Sequence, residues 1–314
     1  MPQNMKDISL TLGPVLFNWP VEQWRDFYFH MADEAPIDHV VVGEVVCSKR
    51  EPFFTPHLPD VIERLESAGK SVTIASPILV MNKRERAAVD GLFSTGYSTE
   101  VNDMTALQMI GGNSFNVGPF INIYNESTRA YFERLGAERI CLPGELPLTS
   151  IEAIAKTAKV PIEVFAFGRM PLAISARCYH ARAQGLSKDS CRYVCAEDLD
   201  GMNVATLDGD DFLSVNGVQT LSHTYHNVIT DLDTLAAAGI SALRLSPHSF
   251  DMVEVARLFR GALDGETDTD EAAVLIADLC GEPSSNGFLY GTEGFKAEGG
   301  LEGRGMDTNT AIPA

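Results

Sequence analysis

Apolar residues in the first two-thirds of the chain fall into short runs that alternate between a strand-like and a helix-like period. Residues 8–17 (ISLTLGPVLF) form a β-like run that stops at Asn18-Trp19-Pro20. Trp24, Phe27, Tyr28 and Met31, spaced by three and four, predict one apolar helix face over 21–34. Residues 39–46 (HVVVGEVV) are almost continuously apolar, as in a parallel strand covered on both faces. Thr55-Pro56 opens a helix through Val61, Ile62 and Leu65 that Gly69 stops, and 71–75 (SVTIA) is the next strand. The rhythm continues with a helix over 102–110 capped by Asn102, a strand at 114–117 and a helix over 125–135 closed by Gly136. A strand at 139–142, a helix over 149–159 and a strand at 162–167 follow.

Short βα units repeated this often imply a parallel sheet. No GxGxxG follows the first strand, so a dinucleotide-binding fold has no support. The expected fold class is α/β, a parallel (β/α) barrel-like domain. Beyond the midpoint the pattern changes. Segments 202–207 and 211–215 flank the turn signal Asp208-Gly209-Asp210, and Asn216-Gly217 is a second one, which predicts a small antiparallel excursion. The α/β rhythm returns with 231–238, a strand at 241–245 and a helix over 250–260. The chain reads as a single domain over 1–296, with a Gly-rich, acidic flexible tail over 297–314.

Charge and composition narrow the function classes. The formal charge is −19, and an acidic surface repels phosphate backbones, so no nucleic-acid partner is expected. The N-terminus MPQNMKDISL has no apolar signal core, and no run approaches the roughly 18 apolar residues of a membrane span. The expectation is a cytoplasmic protein with no membrane span.

In that compartment thiols stay reduced, so clustered cysteines point to metal or catalysis. Cys178, Cys191 and Cys195 form a C-x12-C-x3-C group, three of the chain's six cysteines. A disulfide would strand one of them, whereas a soft metal would use all three and want a fourth. On a helix, the four-residue step from Cys191 to Cys195 would put both thiols on one face. Cys47 and Cys141 both sit near strand ends, and spacing leaves both open as the fourth ligand. Cys141 and Cys280 also read as small buried hydrophobes. No CxxC knuckle suggests zinc, and irregular spacing with a distant fourth ligand suits an iron–sulfur cluster better. Arg177, Arg182, Lys188 and Arg192 surround these cysteines against the single acid Asp189, a local field that favours an anionic cluster or substrate.

Other residues carry less. His223 and His226 form an HxxH pair, but on a β segment they face opposite sides. Glu44 lies in an apolar run and must be functional or paired. Arg169 follows the strand at 162–167 and reads equally as a site residue or a surface one. No Ser-His-Asp constellation can be assembled.

Residues 163–173 (EVFAFGRMPLA), followed by Ser175-Ala176-Arg177-Cys178 and the Cys191/Cys195 pair, resemble the collagenase-like peptidase family of unassigned catalytic type. Within it they resemble the UbiU/UbiV branch, in its short form without an extra C-terminal domain. Segments 12–20 (LGPVLFNWP) and 43–50 (GEVVCSKR) are similar as well, and the resemblance covers roughly 8–262. It implies a barrel-like α/β fold and a 4Fe-4S cluster held by Cys47, Cys178, Cys191 and Cys195, which selects Cys47 over Cys141. It further implies an enzyme working as a heterodimer with a UbiU-like sister protein in oxygen-independent hydroxylation during ubiquinone biosynthesis. Prephenate is the implied oxygen donor, and a UbiT-like lipid-binding protein presents the quinone precursors. Other family members carry Gly-Ala-Leu-Cys where this chain has Gly168-Arg169-Met170-Pro171, a departure that fits a fourth ligand placed upstream. Two alternatives stand beside this. A collagenase-like peptidase lacks a nucleophile with an evident base, and an RNA-hydroxylating relative sits poorly with the charge.

Overall fold

Eight parallel strands close on themselves in a computed structural model that describes residues 4–301. In chain order the strands are β1 (Ser9–Leu12), β2 (His39–Val42), β3 (Ser71–Ala75), β4 (Ser98–Val101), β5 (Phe115–Val117), β6 (Ala137–Cys141) and β7 (Ile162–Ile174). They continue with β8 (Met202–Ala205), β9 (Asp211–Asn216), β10 (Gln219–Asn227), β11 (Ala242–Leu245) and β12 (Ser284–Ser285). Strands β1 to β7 pair in sequence, and β11 pairs in parallel with both β7 and β1, completing the ring. Flanking helices make this the α/β barrel expected from the alternation of apolar runs.

The helix Val21–Glu34 shows why the helices lie outside. It buries Trp24, Tyr28, Met31 and Ala32, a stripe at helical spacing. Inside the ring the chemistry is polar. Arg244 of β11 pairs with Glu163 of β7 (Nε–Oε1 2.5 Å) and with Glu100 of β4. Because β4 and β11 lie on opposite sides of the ring, these side chains meet across the barrel interior. Arg139 of β6 (3.1 Å) and Thr11 of β1 (2.7 Å) also bond Glu163. The cations beside it hold Glu163 far below the usual carboxylate range against its burial.

Several boundaries differ from the sequence reading. The run at 39–46 leaves the sheet after Val42, because Gly43 takes φ +119°. Its backbone approaches β3 closely, and a Cβ there would meet the Ala75 carbonyl at 3.3 Å. The run at 8–17 is strand only to Leu12, and its remaining apolar residues fill a buried loop. The helix over 102–110 shrinks to Met104–Leu107, and its cap is Asp103 rather than Asn102. Asn102 instead bonds Ser76 and Glu100 in the interior. The helix Lys83–Leu92 and the short polar strand β4 were not anticipated, since neither carries a long apolar run.

The excursion is larger than expected. Beyond Phe167, β7 leaves the ring and pairs antiparallel with β10, which pairs with β9, and β9 with β8. At the other end, Leu301 is packed into the core, so residues 297–301 belong to the folded body. The rest of the tail expected from 297 lies outside the described residues. Among the described residues, no helix is long and apolar enough to cross a membrane.

Candidate functional site

Loops that follow the C-terminal ends of barrel strands carry function in this architecture. The loop after β2 and the segment between β7 and β8 meet there around a small cavity of about 20 Å³. Its lining includes Cys47, Cys178, Cys191 and Cys195, together with Lys49, Arg50, His180, Lys188, Tyr193 and Gly217. All six cysteines of the chain are free thiols. Among the described residues, no three or more His, Cys, Asp or Glu side chains are grouped closely enough to hold a single metal ion. The four thiols share one cavity without converging on one point.

Each sulfur is positioned by local bonding. Glu44 Oε1 accepts the backbone N–H groups of Val46 (2.8 Å) and Cys47 (2.9 Å), shaping the turn that presents Cys47. Burial pushes the Glu44 carboxyl above its usual range, opposed by Arg50 and by these two amides. Ser48 bonds Glu85 of the helix Lys83–Leu92 (2.6 Å), and Lys49 Nζ reaches the Lys188 carbonyl (2.7 Å). These contacts tie the loop to its neighbours. Cys178 caps the short helix Tyr179–Ala183, its Sγ accepting the Ala181 N–H at 3.5 Å.

Cys191 and Cys195 do not share a helix. Arg192 (φ 51°) and Tyr193 (φ 57°) are left-handed and reverse the chain, and a 3-10 turn at Val194–Ala196 follows. This reversal replaces the helical step in bringing both thiols to the cavity. Two consecutive left-handed residues with side chains are costly, on the order of 1–3 kcal/mol each, and such strain concentrates at functional sites. Tyr193 packs edge-on against Phe53 (4.9 Å), joining the strained turn to the loop after β2.

Cations and N–H donors face the sulfurs. Asn18 Nδ2 lies 3.5 Å from Cys195 Sγ as a donor. Arg50, only 1% exposed, sits within electrostatic reach of Cys47 and Cys195. Its Nη1 donates to the Leu16 carbonyl (2.9 Å) and its Nη2 to Asn216 Oδ1 (3.0 Å), while Nε has no partner. Burial pushes the Cys47 thiol up, with Arg50 pulling the other way. Of the basic residues noted between 177 and 192, Lys188 lines the cavity; Arg177, Arg182 and Arg192 are exposed and are not part of its lining. His180 is fixed between Asp198 (Nε2, 2.8 Å) and the Gly217 N–H (Nδ1, 3.0 Å).

The other sequence candidates lie elsewhere. Cys141 is fully buried, as expected of a small core residue, and lies beside Arg244, Glu163 and Glu100 of the charged barrel network. Cys280 ends the helix Thr269–Cys280, and burial pushes its thiol up to about 12. His223 and His226 share β10 but part as expected. His223 pairs with Glu282 (3.0 Å), while His226 is buried near Phe165. Arg169 is buried, with its guanidinium 4.6 Å from the Tyr225 ring centroid, and is not at the surface. Ser71 Oγ lies 2.8 Å from His39 Nδ1, but burial lowers the His39 pKa to about 4 and its Nε2 has no partner, so the pair lacks a competent base.

Asn18, Arg50 and Gly217 were missed as site residues. A Lys-Arg pair two residues past Cys47 in an acidic chain and the turn at Asn216-Gly217 were the available signals.

Barrel closure and a thiol-lined cavity at the strand ends define an α/β-barrel protein with a sulfur-rich site. The chain belongs to peptidase family U32, whose model matches residues 22–298. Among solved structures it is similar to N-acetylneuraminate lyase from Fusobacterium nucleatum, at 10% identity, covering 86% of this chain and 79% of that one, with a TM-score of 0.37. It is also similar to a chain of the tryptophan synthase a2b2 complex from Pyrococcus furiosus, at 10% identity, 90% and 100% coverage and a TM-score of 0.32.

Proposed function

We propose that this chain is the UbiV-like half of an oxygen-independent hydroxylase pair in ubiquinone biosynthesis, with a 4Fe-4S cluster as its cofactor. The observation that carries the reading is the sharing of one cavity by Cys47, Cys178, Cys191 and Cys195, drawn from segments up to about 150 residues apart. The donor chemistry fits such a group. The four side chains are free thiols, two of their sulfurs accept N–H bonds, and a buried guanidinium lies within hydrogen-bonding reach of Cys195. N–H groups and positive charge favour thiolate over thiol and stabilise an anionic cluster.

When bound, such a cluster supplies one-electron redox chemistry. Around it the chain's own residues have separate tasks. Glu44 and Glu85 shape the loop that carries Cys47. His180, clamped by Asp198 and Gly217, fixes the helix that follows Cys178. Tyr193, which lines the cavity, packs edge-on against Phe53 and so ties the turn between Cys191 and Cys195 to the segment that follows Cys47. A UbiU-like sister protein, a UbiT-like lipid-binding protein and prephenate complete the proposed cytoplasmic system. A peptidase activity draws on the family's name, but the Ser71–His39 contact gives it no base.

The test is anoxic purification with iron and acid-labile sulfide assay. About four of each per chain are expected, with loss on replacing any of the four cysteines by Ala. An anoxic preparation without iron and sulfide would reject the reading. Accumulation of unhydroxylated quinone precursors in an anoxic deletion strain tests the pathway separately.

A further inference from the structure

Arg50 is the most completely buried cation at the sulfur cavity. It follows Cys47 by three residues, and its guanidinium carries a charge into a site that also contains the part-buried Cys47, the buried Cys195 and Glu44. Two of its nitrogens are anchored to Leu16 and Asn216, on the loop after β1 and the end of β9. Gly217, left-handed at φ +61°, leaves the guanidinium its space: a Cβ there would meet Arg50 Nη2 at 3.0 Å. Asn216 in turn bonds the Leu16 carbonyl at 2.7 Å, so the anchor is itself held. The nitrogen left over, Nε, is a buried donor with no well-aligned partner, and the guanidinium lies within side-chain hydrogen-bonding reach of Cys195. Two residues beyond Leu16, Asn18 directs its own N–H to Cys195 Sγ.

We propose that Arg50 and Asn18 are positioning residues that form the cationic, N–H-donating wall of the four-cysteine site and set how readily the group held there accepts an electron. The inference rests on the cluster reading above. Adding one electron makes a thiolate-bound cluster more negative. A fixed positive charge and N–H bonds to sulfur favour that reduced state and raise the midpoint potential.

The experiment is a redox titration of anoxically purified protein with dithionite as the electron donor, followed by optical and electron paramagnetic resonance spectra. Arg50→Gln, Arg50→Lys and Asn18→Leu are compared with the unaltered chain, and iron is assayed in each. Arg50→Gln and Asn18→Leu are expected to shift the midpoint to lower potential, with Arg50→Lys restoring most of the shift. Loss of iron from Arg50→Gln with retention in Arg50→Lys also supports the charge role. If Arg50→Gln does not fold, the midpoint of Asn18→Leu decides. Full iron with an unmoved midpoint in Arg50→Gln, or in Asn18→Leu where that variant decides, overturns this inference and leaves the cluster reading standing. An unaltered chain free of iron overturns both.

Discussion

Glu44 holds Cys47 by its backbone: one carboxylate oxygen accepts the Cys47 N–H at 2.9 Å and the Val46 N–H at 2.8 Å. The turn that aims the thiol therefore depends on an acid three residues upstream. Glu44→Ala leaves two amides without that acceptor, at a cost of about 2 kcal/mol. Urea denaturation should show that loss, and anoxic iron content should fall with it. Glu44→Gln keeps an acceptor oxygen and should recover most of both. Full iron loading in Glu44→Ala would show that the loop needs no such support.

Cys141→Ala and Cys280→Ala should load iron like the unaltered chain. Neither residue lines the sulfur cavity; one sits against the interior ion network and the other at a helix end. Loss of iron in either, with the fold intact by circular dichroism, would show that the four-cysteine assignment is wrong.

Gly217→Ala should damage the site more than the fold. The residue is left-handed, and its added methyl would press on Arg50 Nη2. We expect a stability loss of about 1 kcal/mol, measured by thermal melting. A larger fractional loss of iron should accompany it. A variant with normal melting and normal iron would mean that the turn adapts.

Arg244→Met should be severely destabilising, by about 3–5 kcal/mol, because it leaves Glu163 and Glu100 buried without their shared cation. Glu163→Gln should cost less, since Arg244 keeps Glu100. Equal denaturation midpoints for Arg244→Met and the unaltered chain would contradict the role given to this network.

Stability should fall on mild acidification. Burial lowers the pKa of His226 from 6.5 to about 4, and that of His39 likewise to about 4. In the unfolded chain both take up a proton near the ordinary value, whereas in the folded chain they resist it. Their contribution is thus complete above pH 6.5 and is lost as pH falls towards 4, by up to about 3 kcal/mol for each. Urea midpoints between these limits check this, and His226→Gln should flatten the slope. A pH-independent midpoint across the window would count against both burials.

The barrel was legible where strands are predominantly apolar. The runs at 39–42, 71–75 and 162–167 identify themselves by composition. β4 did not, because its Thr99 and Glu100 are polar residues buried in the fold, and Glu100 is neutralised by Arg244 of a strand 144 residues away. No local pattern signals that partnership. The extension of β7 past Phe167 was equally hidden, since its last residues are strand only through pairing with β10.

Local sequence, then, determined the alternation of βα units, the turn at Asn216-Gly217 and the grouping of Cys178, Cys191 and Cys195, while leaving Cys47 and Cys141 both open as a fourth sulfur. These rest on side-chain periodicity and on chemistry that each residue carries with it. The tertiary structure alone decided which side chains surround the thiols. Asn18, Arg50 and Gly217 reach the cavity only because barrel closure brings loops from distant parts of the chain to one end. Packing and burial act on residues far apart in sequence, so their consequences at this site appear only once the ring is closed.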